Sequence, residues 1–222
     1  MGERIVQKRR GATPLPIRDG LNPTQARVTE GPVSAWDFVQ NLILTQRHRH
    51  PEDNEGALQA RFDAGEVVRQ DGTHLSPHSI LATNTVLYFY RMPAPETPVP
   101  YDIPILFEDN HLLVADKPPF MATMPRARHI TETATVRLRR KTGNNELSPA
   151  HRLDRLTSGI LVFTKDRSVR GAYQTLFAER RVTKTYEAIA PLADVSPGTL
   201  WRSRMEKTPG ELQGRIVEGE VN

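Results

Sequence analysis

The 222-residue sequence contains no cysteine. That absence removes disulfides, thiolate catalysis and cysteine-ligated zinc or iron–sulfur sites together, and it fits a reducing, cytoplasmic setting. No stretch approaches the ~20 apolar residues of a membrane helix. The basic residues between Met1 and Arg10 are followed by no apolar core, so no signal peptide is expected. Hydrophobic residues make up 37% and charged residues 25% of the chain, the composition of a soluble globular protein somewhat poor in core-forming residues. One good-sized domain or two small ones fit this length.

What the chain does have is an uneven charge. The net value is +4, but the stretch from Arg126 to Tyr186 holds 14 Lys or Arg against 5 Asp or Glu. A basic stretch in an otherwise acidic protein is the footprint of a polyanion site, although charge alone fits a solvated surface equally well.

Eighteen prolines punctuate the sequence. Residues 1–30 are polar, basic and without apolar periodicity, which predicts an extended, flexible arm. Residues 31–92 predict a small folded module. Trp36, Val39, Leu42 and Ile43 recur at helical spacing behind a Ser34 cap, and a second helix passes Leu58 and Phe62 to stop at Gly65. Strands are expected at Glu66–Arg69 and Thr85–Tyr90, around a turn at Asp71-Gly72. Five prolines between Met92 and Pro104 mark a linker at 93–104.

A second unit, 105–222, should contain strands at 111–115, 159–164 and 183–190. Helices are expected near 133–141, stopped by Gly143, and near 167–180, capped by Asp166 and burying Val169, Tyr173, Leu176 and Phe177. Strands and helices alternate without a βαβ rhythm. The expected class is α+β: a mixed, mostly antiparallel sheet with flanking helices, preceded by a small α+β module.

The chemistry concentrates in His151-Arg152-Leu153-Asp154-Arg155-Leu156-Thr157-Ser158-Gly159. Asp154 falls on a loop feeding an apolar strand, where a scaffold holds a side chain firmly yet leaves it accessible. Arg152 and Arg155 flank it and favour the ionised carboxylate, suited to a nucleophile or base. Thr157, Ser158 and nearby backbone N–H groups are candidates to orient it. The bland alternative is a surface ion pair of Asp154 with either arginine.

This segment resembles the His-Arg-Leu-Asp-x-x-Thr-Ser-Gly signature of the RluA-type pseudouridine synthases, and Thr164-Lys165-Asp166 follows as in that family. Two further blocks are similar: Phe107 to Pro119, with its Lys117-Pro118-Pro119 turn, and Arg180 to Ala188. The resemblance implies an RNA-modifying isomerase with a pseudouridine synthase-like fold. Asp154 would be the catalytic aspartate, attacking ribose C1′ or uracil C6 before the base turns and rejoins through C5. Arg152 would hold or replace the flipped nucleotide, Arg155 would contact RNA, and Tyr186 would pack against the target base. No metal or organic cofactor is implied. The implied partner is structured rRNA or tRNA, with no membrane and no obligate protein partner, for a monomer.

Residues 61–72 also resemble the S4-type RNA-binding module. The family's last block, carrying a basic partner for the aspartate and an apolar pocket residue, is not found, and Gly210 to Asn222 looks like the run-up to it. That leaves an alternative expectation, a catalytically inactive RNA-binding remnant of the same family.

Three other features read as ordinary. His151 should make a structural hydrogen bond, since an aspartate nucleophile needs no histidine base. His48 and His50, in Arg47-His48-Arg49-His50, have alternate spacing but no third ligand at a familiar distance, so a solvated loop is expected. Arg137 to Lys141 is either a phosphate grip or a polar face complementing the helix C-terminus.

Overall fold

The computed structural model describes residues 13–192, 195–196, 198–208 and 213–221. They divide into two compact units, Met1–Val182 and Thr183–Asn222. The basic segment Met1 to Arg10, and the residues Gly210 to Leu212 and Asn222 of the last stretch, lie outside the described residues.

The first unit opens with β1 (Thr24–Arg27) and β2 (Val33–Ser34), then α1 (Ala35–Leu44), α2 (Glu55–Asp63), β3 (Val67–Arg69), β4 (Ile80–Leu81) and β5 (Val86–Phe89). Strands pair antiparallel in the order β1-β5-β3, and β2 pairs with β4. The caps follow the sequence: Ser34 Oγ accepts from Asp37 N at 3.0 Å and Asn54 Oδ1 from Ala57 N at 3.1 Å. Val39, Ile43, Leu58 and Phe62 meet Leu87 and Phe89 in one core. Gly65 adopts φ +67°, where a Cβ would stand 2.5 Å from His74 Nδ1, so both backbone and space demand glycine there.

Residues 13–30 differ from the expected arm. β5 is buried on both faces, and its second face, with Val86, Tyr88 and Tyr90, is covered by Leu15. Tyr90 Oη donates to Pro16 O at 2.8 Å, and the Arg18 guanidinium lies 3.9 Å above the Tyr90 ring. A short polar strand with one anchoring leucine carries no period to read, yet a doubly buried neighbour holds it.

The same unit continues with β6 (Ile105–Glu108), β7 (Leu112–Lys117), α3 (Ala134–Thr142), β8 (Ser148–Pro149), β9 (Gly159–Thr164) and α4 (Arg167–Ala178). The sheet order is β6-β7-β9-β8, antiparallel throughout. Period-two alternation turns Leu113 and Ala115 of β7 and Leu161 and Phe163 of β9 inward, against Leu138 of α3 and Met121. α3 starts at the Thr133 cap and stops at Gly143, φ +68°. The expectation that α4 buries Val169, Tyr173, Leu176 and Phe177 is corrected: all four are half-buried, because the helix has a neighbour on one side only.

In the second unit, β10 (Arg204–Glu206) and β11 (Arg215–Val217) form an antiparallel hairpin. The strand expected at 183–190 is not formed. Alternating Thr, Tyr and Ile suit a strand, but propensity supplies no ladder, and among the described residues no strand ladder includes this segment. The observed class is α+β with antiparallel sheets and four helices among the described residues. None of these helices is long and apolar enough to cross a membrane.

One charge pair sits inside the N-terminal core. Arg61 Nη2 donates to Asp53 Oδ1 at 2.6 Å, with both side chains buried. Removing one partner strands the other charge away from water. Arg61→Met is expected to destabilise the chain by about 3–5 kcal/mol, and Asp53→Asn/Arg61→Met to recover most of that loss, in urea unfolding.

Candidate active site

β7 ends where the chemistry begins. The alternation that buries Leu113 and Ala115 also directs Lys117 into the core, where it is 0% exposed. Its ammonium donates to Pro118 O at 2.9 Å and Met121 O at 2.8 Å, so the 118–121 turn wraps around one buried charge. Burial pushes the Lys117 pKa down to about 8, and the charge of Asp154 opposes that shift. Phe120, in the same turn, takes φ +65° and stays exposed. Lys117 pairs in register with Gly159, the residue that ends the Asp154 loop at φ +113°.

That loop is pinned one residue ahead of the carboxylate. Thr123 Oγ1 donates to Leu153 O at 2.7 Å and accepts from Leu153 N at 3.1 Å. Thr123 O in turn accepts from Thr135 N at 3.1 Å and from Thr135 Oγ1 at 2.7 Å, in the first turn of α3. The Leu153 side chain enters the core. Beyond it, Thr157 N donates to Asp154 O at 3.1 Å and closes a turn. Asp154 is therefore an exposed carboxylate on a fixed backbone.

His151 takes the structural part expected of it. Its Nε2 accepts from Val162 N at 3.2 Å, and its ring stacks on Phe177 at 4.4 Å.

Asp154, Arg152 and Arg155 lie together on this loop, with Arg152 exposed and Arg155 half-buried. Among the described residues neither arginine forms an ion pair with Asp154, which removes the surface-pair reading. The Thr157 N–H serves the Asp154 backbone carbonyl, which sets the turn rather than the carboxylate. Tyr186 belongs to the second unit, in an unpaired extended segment, and is 59% exposed.

Sequence reasoning missed Lys117 and Thr123. Lys117 was readable, because Leu113, Ala115 and Lys117 continue one alternation. Thr123 was not, since its partner lies 30 residues away.

The α3 cations resolve to structure. A cavity of about 430 Å3 opens between residues 98–103 and α3. Around it Arg137 pairs with Glu132, Arg140 with Asp19 and Lys141 with Asp102. Arg139 donates to Leu147 O and Gly20 O, both at 3.0 Å. No group of three or more metal-ligating side chains occurs among the described residues.

The buried lysine makes stability depend on pH with a definite sign. An unfolded Lys117 keeps its proton up to its ordinary value of about 10.5, whereas the folded one releases it near 8. Between those values the unfolded chain binds more protons, so raising pH favours the folded state. The stability of wild type relative to Lys117→Met should be flat below about pH 7 and rise by about 3 kcal/mol across that window. Urea midpoints of both proteins over the pH series check this.

The comparisons agree with the geometry. A family model described as RNA pseudouridylate synthase matches residues 111–220. An uncharacterized RNA pseudouridine synthase of Synechocystis is 28% identical over 153 residues, 69% of this chain and 52% of that protein. The ribosomal large subunit pseudouridine synthase D of Xylella fastidiosa is 30% identical over 166 residues, 72% of this chain and 50% of that protein. The dual-specificity RNA pseudouridine synthase RluA of Haemophilus influenzae is 38% identical over 91 residues, 40% of each chain. The chain thus spans half or less of the length of most curated relatives it matches. It belongs to the RNA pseudouridylate synthase family, in its RluA-type branch.

Proposed function

We propose that this protein isomerises uridine to pseudouridine in structured RNA, with Asp154 as the nucleophile. The observation that carries this reading is the placement of Asp154. Its carboxylate is exposed, its backbone is locked through Leu153 and Thr123, and the buried Lys117 charge lies near enough to act on it.

A fixed, ionised carboxylate attacks ribose C1′ or uracil C6. The C1′–N1 bond breaks, the base turns, a C1′–C5 bond forms, and the bond to Asp154 breaks to return the free carboxylate. The C5 proton leaves and N1 gains one, so the sum is an isomerisation that consumes no cofactor. Chemistry on a base requires the nucleotide out of its stack, with cations for the phosphates and a side chain to hold the gap. Arg152 and Arg155 suit the first need. Tyr186 is assigned to pack against the target base.

Several relatives carry rRNA or tRNA synthase names, which supports one of those RNAs as substrate. Residues 31–92 are assigned as an accessory RNA-binding module of S4-like character, with 93–104 joining it to the catalytic part. A cytoplasmic, monomeric protein completes the reading, in keeping with a chain free of cysteine.

Incubation with total RNA, followed by carbodiimide-based mapping, tests the chemistry. Wild type should add pseudouridine at discrete sites, and Asp154→Ala should lower the yield by at least about a thousandfold while still binding RNA. Identical maps from the two proteins, with both binding RNA, would mean binding without turnover.

A further inference from the structure

The Arg47-His48-Arg49-His50 turn joins α1 to α2, and the mechanism gives it no work. It is a fixed turn. His50 Nδ1 accepts from Glu52 N at 3.0 Å, and His50 O from Asp53 N at 3.1 Å, tying it to the buried Asp53–Arg61 pair. Arg47, His48 and Arg49 are left exposed.

A second basic turn lies in the catalytic part. Arg126 N donates to His129 O at 2.8 Å and His129 N to Arg126 O at 3.0 Å, closing a tight hairpin. Glu96 braces its far side by accepting from Ile130 N at 2.9 Å and Thr131 N at 2.6 Å. Arg126 and Arg128 are exposed.

Both turns lie within electrostatic reach of His129. The charges that reach its ring come from Arg128 of its own hairpin, Arg155 of the Asp154 loop, Glu96 of the bracing segment and His48 of the α1–α2 turn. Burial and the three cations lower its pKa below the ordinary histidine value, with Glu96 opposing.

The contrast with α3 gives this cluster its meaning. Arg137, Arg140 and Lys141 are each neutralised by a carboxylate. Arg47, Arg49, Arg126, Arg128 and Arg155 form no ion pair with any described residue. Cations that no carboxylate pairs repel one another, and an arriving polyanion relieves that repulsion.

We propose that the Arg47–His50 turn and the Arg126–His129 hairpin form a two-sided grip on the phosphate backbone of the RNA that brings uridine to Asp154. The proposal rests on the isomerase reading for the identity of the polyanion. Guanidinium forks match phosphate oxygens, and neither turn carries an aromatic residue on which a base would stack. The grip therefore reads backbone and not sequence. A phosphate beside His129 favours its protonated ring, so binding takes up protons and tightens as pH falls through the histidine range.

Fluorescence anisotropy of the full chain with a short, labelled, uridine-containing RNA stem-loop tests this. Arg47→Ala/Arg49→Ala should weaken binding roughly tenfold and flatten the slope of log K against log salt by about one to two, at unchanged melting temperature. Arg47→Lys/Arg49→Lys should keep most of the affinity, which separates charge from folding. Lowering pH from about 7.5 to about 5.5 should tighten wild type, and His129→Asn should remove most of that gain.

The grip is overturned if the alanine variant keeps wild-type affinity and salt slope. It is equally overturned if wild type shows no salt-dependent RNA binding. If wild type binds RNA through these arginines yet forms no pseudouridine, the grip stands and the isomerase reading fails. If pseudouridine forms and the alanine variant binds like wild type, the isomerase reading stands and the grip fails.

Discussion

A lysine ammonium held inside the core organises the sheet that carries the Asp154 loop. Lys117 occupies the inward face of β7 because strand alternation leaves it nowhere else to point. An isolated buried cation is costly, and here two backbone carbonyls and the charge of Asp154 offset that cost. Satisfying the ammonium fixes the 118–121 turn. That turn leads directly to Thr123, whose hydroxyl fixes Leu153 and hence Asp154. The position of the carboxylate thus traces back, through a few hydrogen bonds, to the same strand end that buries the lysine.

Arginines divide by what they are spent on. Arg61, Arg137, Arg139 and Arg140 donate hydrogen bonds to carboxylates or backbone carbonyls and act as struts. Through Arg139 and Arg140 the struts reach Gly20 and Asp19, residues far upstream in the chain. Arg152 and Arg155 on the Asp154 loop, and the arginines of the two basic turns, have no such obligations among the described residues. A local charge excess in sequence cannot separate these two populations, because pairing depends on partners up to 121 residues away.

Elements governed by local rules were legible. Caps at Ser34 and Asp166, stops at Gly65 and Gly143, and the full extent of β9 followed from short-range chemistry. Elements that depend on partners were not. β1 has four polar or small residues and exists because β5 offers an edge. Residues 183–190 have strand propensity and no ladder. At the site the carboxylate and its arginines were readable from nine consecutive residues. The buried ammonium was hidden by a turn-like Lys-Pro-Pro that drew attention from the alternation ahead of it.

The central claim is that Lys117 and Asp154 are electrostatically coupled, a buried cation acted on by an exposed carboxylate. An NMR titration of the Lys117 side chain in wild type and in Asp154→Asn measures that coupling directly. The account predicts a wild-type midpoint near 8, moving lower when the Asp154 charge is removed. A midpoint at the ordinary lysine value, or one that does not move in Asp154→Asn, would contradict it.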